Sequence, residues 1–261
     1  MHPAPSVLAE LDRRQPLLAR AGWTAVAVLL LCLSALAFDA RTLNGVPVWA
    51  KPAKFAASFV AWFWTLAWAW GVLSPEARRG RAARVVLWST LLAASYEQGW
   101  ITWRAALGLR SHFAQDPLGQ VMYQLMGFGA VVLVAMAALL GLLVLARGDR
   151  AQPRPWRLAV GLGLVLGGVL GGISGGTISA FETPRIGGTA SDAANFAPFF
   201  WSRDGGDLRA AHFLGVHAMQ ALPALALLGA GAGMVWAGAA GWTVLTVAAY
   251  ALALAGVPLA P

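Results

Sequence analysis

Seven apolar stretches, each long enough to cross the hydrocarbon core of a bilayer, occupy most of the chain. They lie at about 22–38, 53–73, 84–108, 120–146, 157–182, 208–230 and 233–257. Hydrophobic residues make up 59% of the 261 residues and charged residues only 11%, which is too apolar for a soluble domain. The sequence therefore predicts an all-α, polytopic membrane protein, a bundle of seven transmembrane helices forming one domain over 1–261. No charged loop separates the last two stretches, so a six-span interpretation stays open.

Arginines predict the orientation of these helices. They gather before the first stretch and in the second and fourth connections, at Arg13, Arg14, Arg20, Arg78, Arg79, Arg81, Arg84, Arg147, Arg150, Arg154 and Arg157. Basic loops stay on the cytoplasmic side of a membrane. We therefore expect the N-terminus inside, with a cytoplasmic tail over 1–21, and the C-terminus outside. The connection 183–207 then becomes a long outer loop.

The net charge of +8 is accounted for by these arginine-rich loops, so the predicted partner is the lipid bilayer and not nucleic acid. The single cysteine, Cys32, excludes a disulfide framework within one chain. Arg13 and Arg14 lead into an apolar run that resembles a signal peptide, but an uncleaved anchor is the favoured interpretation.

Two lysines open the second stretch, in the string KPAKFAAS. Lys51, Lys54, Phe55 and Ser58 follow one another at helical spacing and share one face. Lysines at an outer helix end run against the usual charge bias of membrane proteins. They are candidate ligand-binding residues, although lysines that extend to the interface would give the same pattern.

The third stretch carries charge within its apolar run. At helical spacing Glu97, Arg104 and Ser111 share a narrow face with His112 slightly to one side, and Glu97 lies about 10 Å deeper than Arg104. A glutamate at membrane depth is expected to pair with a cation, to accept a proton or to serve a site. Glu97, Arg104 and Asp116 are the candidate catalytic residues, and Ser111 is a candidate ligand-binding residue.

The sixth stretch begins with the string GDLRAAHFLGVHAMQ. Its helical wheel places Arg209, Gln220 and Phe213 between His212 and His217, which diverge too far to hold one metal ion together. Arg209 and Gln220 are candidate ligand-binding residues. The candidate metal ligands are His112, His212 and His217, and Asp207 is expected to cap the helix.

Two further segments have open interpretations. The fifth stretch, GLGLVLGGVLGGISGGT, favours close helix packing, although a slim helix would also accept a flat ligand. The aromatic string PFFW of the long loop is typical of an interfacial anchor, and the alternative is a lid over a cavity.

The strings KPAKF, RSHF followed by Asp116, and GDLRAAHFLGVHAMQ together resemble a family of uncharacterised bacterial multi-pass membrane proteins. The resemblance extends from about Leu43 to Leu222. It implies the bacterial cytoplasmic (inner) membrane and that ten residues belong together, but it implies no substrate. They are Lys51, Lys54, Arg104, Ser111, His112, Asp116, Arg209, His212, His217 and Gln220.

Three functions remain open from the sequence. The first is a membrane-embedded redox protein or enzyme with haem b, zinc or copper, acting on a small or amphiphilic substrate. Two histidines from different helices would be haem ligands, with Lys51, Lys54 or Arg209 on the propionates. The second is a transporter or receptor for an anionic amphiphilic ligand, and the third is a binding or assembly subunit. A retinal protein is not expected, because the last stretch contains no lysine.

Overall fold

The computed structural model describes residues 6–114, 116–189 and 199–259. Over these ranges the chain forms nine helices and two small sheets. The short helices are α1 (Val7–Arg14) and α4 (Pro75–Arg79). The long helices are α2 (Pro16–Phe38), α3 (Ala50–Trp70), α5 (Arg81–Ala106), α6 (Pro117–Arg147), α7 (Arg154–Ala180), α8 (Leu208–Leu227) and α9 (Ala232–Leu254). Parts of the predicted tail and outer loop, at 1–5 and 190–198, lie outside the described residues.

Each sheet is a pair of two-residue antiparallel strands. The first joins β1 (Thr42–Leu43) to β2 (Val46–Pro47). Asn44 and Gly45 form its turn with φ angles of 54° and 78°, the left-handed conformation that an Asn-Gly hairpin turn requires. The second pairs β3 (Arg185–Ile186) with β4 (Gly206–Asp207) and so brings the start of the long loop back to α8.

Each of the seven apolar stretches contains one long helix. The break between the last two is real: α8 ends at Leu227, Gly229 adopts a φ of +91°, and α9 begins at Ala232. The predicted tail is itself mostly helical, because α1 is followed directly by α2. Glu10 of α1 pairs with Arg13 and Arg14, and Arg14 also donates to the carbonyl oxygen of Trp68 in α3 at 2.8 Å.

Five of the described helices, α2, α6, α7, α8 and α9, are long and apolar enough to cross a membrane. The other two long helices, α3 and α5, have similar lengths but are not among these five. Lys51 and Lys54 open α3, and α5 contains Glu97 and Arg104. The fold is therefore all-α, with several helices of transmembrane character.

The two ends of the bundle differ in chemistry. We call one the polar end: α3, α6 and α8 begin there, and Lys51, His112 and Arg209 lie there. The arginine end is the opposite one, where the connections 71–80 and 147–154 meet. There the backbone N–H of Ser74 donates to the carbonyl oxygen of Arg147 at 3.0 Å. The sequence expectation that the polar residues gather at one end of the helices agrees with this arrangement.

Helices α7 and α8 pack backbone to backbone through glycines. A side-chain carbon placed on Gly215 of α8 would lie 2.9 Å from the backbone nitrogen of Gly171, and one on Gly163 would lie 2.8 Å from the carbonyl oxygen of Ala218. Small residues allow membrane helices to approach closely. The described α7–α8 contact therefore agrees with close packing and leaves no space for a flat ligand along these residues.

Candidate functional site

The loop after α5 folds back over its own helix. Sequence spacing placed Glu97, Arg104 and Ser111 on one helical face, but α5 ends at Ala106. Gly108 adopts a φ of +69°, and the backbone N–H of Leu109 donates to the Arg104 carbonyl oxygen at 2.8 Å. Glycine ends helices this way because it tolerates the left-handed conformation. Ser111 is therefore on a loop, and the prediction that it continues the helical face was wrong.

An ion pair fixes this loop. Arg104, whose side chain is only 4% exposed, donates to both carboxylate oxygens of Asp116 and, through Nε, to the Arg110 carbonyl oxygen at 2.8 Å. Asp116 also accepts from the backbone N–H of Gly119 and so caps α6. The Arg104 guanidinium, followed by the Gly119 N–H, holds the pKa of the Asp116 carboxyl below its usual range. Two of the three candidate catalytic residues, Arg104 and Asp116, therefore have a clear structural role.

His112 lies on the same loop in aromatic surroundings. Its ring centroid is 6.0 Å from that of Phe55 and 5.7 Å from that of Tyr123, and its Nδ1 lies 3.2 Å from Oγ of Ser111. Burial, with the nearby Lys51 charge as a smaller cause, lowers the pKa of His112 well below its usual value. A neutral ring is therefore favoured at this position.

Glu97 is deeply buried, with 3% exposure. Its Oε1 has no hydrogen-bond partner among the described residues, and a side-chain carbon on Gly129 of α6 would lie 3.0 Å from it. The neighbouring Gln98 donates to the Pro52 carbonyl oxygen at 3.2 Å, which places this turn of α5 level with the start of α3. The Lys51 ammonium consequently interacts with the Glu97 carboxyl and the His112 ring. We call these three residues, Lys51, Glu97 and His112, the carboxyl cluster.

A second group of contacts joins α3 and α8 through the long loop. Lys54 donates to the Phe199 carbonyl oxygen at 3.3 Å, and its ammonium lies 5.0 Å from the ring centroid of Phe200. Arg209 donates to the Phe200 carbonyl oxygen at 2.7 Å and forms a bidentate pair with Asp207. The expected capping of α8 by Asp207 is confirmed, because its Oδ1 accepts from the backbone N–H of Arg209 at 2.9 Å.

The aromatic residues of this loop cover the first turns of α8. The rings of Phe199 and Trp201 stack at 4.7 Å, and both meet Phe213 edge to face, at 5.3 and 5.6 Å. Phe213 stacks in turn on His217, with 3.9 Å between ring centroids. The described part of the loop thus packs against the first turns of α8, and the choice between an interfacial anchor and a lid stays a prediction.

The two histidines of α8 face different partners but share one feature. Nδ1 of His212 donates to the Gly171 carbonyl oxygen at 2.9 Å, and Nδ1 of His217 donates to the Phe213 carbonyl oxygen at 2.7 Å. A ring that donates from Nδ1 presents Nε2 as an acceptor when neutral. Neither Nε2 forms a hydrogen bond among the described residues. As expected from their spacing, the two rings diverge.

Gln220 connects α8 to α3 at a deeper level. Its Nε2 donates to Oγ1 of Thr65 at 2.9 Å, while its Oε1 is buried without a partner among the described residues. The sequence pointed to Gln220 but not to Thr65. The sequence offers one signal for this contact, which is equal spacing: Thr65 lies 11 residues after Lys54, and Gln220 lies 11 residues after Arg209.

The candidate residues thus form two neighbouring groups, linked by the first turns of α3. Within the described ranges, no three side chains of the His, Cys, Asp and Glu types converge as metal ligands. His112 faces Phe55 and Tyr123 while His212 faces α7, so the three candidate metal ligands do not form one set.

No protein-family model, curated protein or solved structure matches this chain. The family resemblance drawn from the motifs therefore stays a prediction, and the chemistry of the site has to be argued from its own residues.

Proposed function

We propose that the chain is a seven-span protein of the bacterial cytoplasmic membrane, with its N-terminus inside and the polar end outside. Five helices have transmembrane character, and α3 and α5 pack among them with a similar length. The arginine-rich connections share one end of the bundle, as expected for the cytoplasmic side. The polarity of α3 and α5 is concentrated where they meet neighbours, which is where membrane proteins keep charge.

Reporter fusions test this topology. An alkaline phosphatase reporter fused after Pro261 should be active, and one inserted after Asp149 should be inactive. A cytoplasmic fluorescent reporter should give the opposite pattern at both positions. An inactive phosphatase after Pro261 would mean that the chain has one span fewer than proposed or the opposite orientation.

We propose further that the polar end binds a small amphiphilic ligand from the outer leaflet and exchanges a proton with it through the carboxyl cluster. The buried Glu97 carboxyl carries this proposal, because its Oε1 has no partner among the described residues and the Lys51 ammonium interacts with the carboxyl. An unsatisfied polar atom at membrane depth is costly, so such groups are usually retained for function. Arg104 and Arg209, in contrast, are held by Asp116 and Asp207 and stabilise the loops.

The test is calorimetric titration of the protein in lipid nanodiscs with decanoate, decyl phosphate and decyl hydroquinone. Each titration is run in two buffers of different ionisation enthalpy at one pH, which gives the number of protons exchanged on binding. At least one probe should bind to the wild type with proton exchange, and Glu97→Gln should abolish that exchange. Glu76→Gln, which changes an exposed glutamate of α4 at the arginine end, is the matched control. Unchanged proton exchange in Glu97→Gln would refute the proposal.

A haem- or metal-dependent redox protein is the second candidate. The Nδ1 contacts of His212 and His217 favour it, because a backbone carbonyl that holds one ring nitrogen orients the other toward a metal. An ultraviolet–visible spectrum with metal analysis tests it. A Soret band should be lost in His217→Ala and weakened in Lys51→Ala, whereas stoichiometric zinc or copper should be lost in His112→Ala. A colourless protein without bound metal would refute this second candidate, and ligand binding would be the remaining proposal.

A further inference from the structure

A surface cleft lies at the arginine end, where the two arginine-rich connections meet. It has a volume of about 440 Å³ and is lined by residues 74–77 and 146–150. Clefts that hold small ligands measure about 300–1,000 Å³, so this one is large enough for a molecule of headgroup size. Backbone hydrogen bonds fix its floor, because the Ser74 N–H donates to the Arg147 carbonyl oxygen and the Asp149 N–H donates to that of Val72. We call it the arginine-end cleft.

The arginines near this cleft fall into two groups. Arg14 and Arg78 donate to backbone carbonyl oxygens at the end of α3, between residues 68 and 73, and so hold that end in place. Arg147 and Arg150 line the cleft instead. They are exposed, and their side chains form no hydrogen bond among the described residues. The preference for basic loops on the cytoplasmic side explains the charge of both groups but not the cleft.

The cleft also carries negative charge, which a purely anionic ligand would avoid. Asp149 accepts from the backbone N–H of Ala151 through Oδ1 at 3.0 Å. Its Oδ2 forms no hydrogen bond among the described residues and is not buried. The second acid of the lining, Glu76, already interacts with its own backbone N–H and with the Ser74 hydroxyl. Two guanidinium groups and one available carboxylate oxygen thus line the same cleft.

An exposed apolar stripe of α6 leads into the cleft. Ala146 lines the cleft, and Leu142, one turn earlier on the same face, is 53% exposed. Ala135, two turns further along the same face, is also exposed. Because α6 is one of the helices with transmembrane character, this stripe faces lipid in a bilayer. A molecule bound in the cleft can therefore extend an apolar chain along α6.

We propose that the arginine-end cleft binds a phospholipid whose headgroup carries a primary ammonium beside its phosphate, the phosphatidylethanolamine class. Arg147 and Arg150 donate to the phosphate oxygens, which suit a guanidinium because it can donate two parallel hydrogen bonds. The ammonium donates to Oδ2 of Asp149, and an acyl chain lies along the α6 stripe. This inference goes beyond the ligand proposed for the polar end and does not depend on it.

The charges of the cleft favour this headgroup over two related ones. A choline headgroup has the same two charges, but its trimethylated nitrogen has no hydrogen to donate. A glycerol headgroup keeps the phosphate but brings no cation, so its negative charge lies next to an unpaired Asp149 carboxylate, and like charges repel. A basic pocket without an acid would instead favour anionic lipids. Asp149 is therefore the residue that determines the expected preference.

The experiment is native mass spectrometry of the full chain, delipidated in detergent and titrated with three dioleoyl lipids: phosphatidylethanolamine, phosphatidylcholine and phosphatidylglycerol. We expect the ethanolamine lipid to bind at least about tenfold more tightly than the choline lipid, which corresponds to 1.4 kcal/mol, because only its ammonium donates to a carboxylate. Asp149→Asn should remove most of this preference, and its amide oxygen can still accept from the Ala151 N–H. Arg147→Gln and Arg150→Gln should each weaken the binding of all three lipids.

Matched variants separate the cleft from the overall charge of this end. Asp12→Asn and Arg84→Gln make the same changes of charge on α1 and α5, at exposed residues outside the cleft lining, so both should bind lipid like the wild type. Arg150→Gln changes an exposed loop residue, so it remains informative if Asp149→Asn fails to fold. Soluble glycerophosphoethanolamine, which has the headgroup without the acyl chains, should displace bound lipid only weakly.

Equal affinity of the wild type for the ethanolamine and choline lipids would overturn this inference, as would an unchanged preference in Asp149→Asn. Tightest binding of phosphatidylglycerol would refute the ethanolamine class in favour of an anionic headgroup. Displacement of the lipid by an equal concentration of glycerophosphoethanolamine would show a site for soluble phosphate esters and refute the lipid. All of these results concern the arginine end and leave the proposals for the polar end in place.

Discussion

Helix α8 contacts α7 and α3 in opposite ways. Toward α7 it presents Gly215, which approaches the backbone at Gly171 so closely that no side chain fits between them. Toward α3 it presents Phe213, His217 and Gln220, and the described hydrogen bond between these helices is formed by side chains alone. One face is a backbone contact, and the other is a contact between side chains.

The difference separates stability from function along a single helix. Membrane helices gain little from burying apolar area against each other, because lipid is equally apolar, so close contact of small residues supplies much of their association. The α7 face of α8 provides this contact. On the α3 face, the buried Oε1 of Gln220 has no hydrogen-bond partner among the described residues, which suits a functional role better than helix association. Substitutions on the two faces should therefore change different measurements.

The largest effect is expected for Gly215→Val, which adds a branched side chain to the α7 contact. Its first carbon would lie 2.9 Å from both the Gly171 nitrogen and the Leu170 carbonyl carbon, which are backbone atoms and cannot move aside easily. Overpacking typically costs about 1–3 kcal/mol, and we expect a value at or above that range. Thermal unfolding and gel filtration in detergent measure it. Gly233→Val, where no atom lies within 4 Å, is the control. Equal melting of the two variants would contradict the close-contact interpretation of this face.

Arg104→Lys should have the second largest effect, because it weakens the loop that carries the carboxyl cluster. The planar guanidinium of Arg104 donates to both carboxylate oxygens of Asp116 and to the Arg110 carbonyl oxygen, and a lysine ammonium cannot reproduce this geometry. Hydrogen bonds of charged groups contribute about 1.5–3 kcal/mol, so the melting temperature should fall clearly. Arg110→Lys changes a neighbouring exposed arginine and should be neutral. A melting temperature equal to the wild type would show that Arg104 has no structural role.

Gln220→Leu probes the α3 face and should change stability much less than Gly215→Val. It removes the hydrogen bond to Thr65 but also removes the unpartnered Oε1, and the two effects oppose each other. Hydrogen bonds between membrane helices average about 0.6 kcal/mol, so the change should stay within about 1 kcal/mol. A loss of stability as large as that of Gly215→Val would contradict the distinction between the two faces of α8.

The sequence predicted the helices well because hydropathy and arginine position are local signals. All seven apolar stretches became helices, including the break near Gly229, and the polar residues share one end. The partners of the polar residues were harder to predict, because they depend on contacts between distant parts of the chain. Gly108 is a residue type that commonly ends helices, but nothing local shows that the chain after it folds Ser111 back over α5. Likewise, only the packed bundle brings Thr65 of α3 to Gln220 of α8.

The smallest expected effect concerns the pH dependence of stability that His112 of the carboxyl cluster contributes. Burial lowers the pKa of His112, so the folded ring stays neutral while the ring in the unfolded chain binds a proton below about pH 6.5. The unfolded state then holds more protons, and stability falls as the pH drops from about 6.5 toward the folded-state pKa. His112→Gln should reduce this dependence, seen as a smaller fall in melting temperature between pH 7 and 5, whereas Gly233→Val should keep the wild-type slope. An identical slope in His112→Gln would mean that the ring is protonated to the same extent in both states, and its burial against Phe55 and Tyr123 would then have no electrostatic consequence.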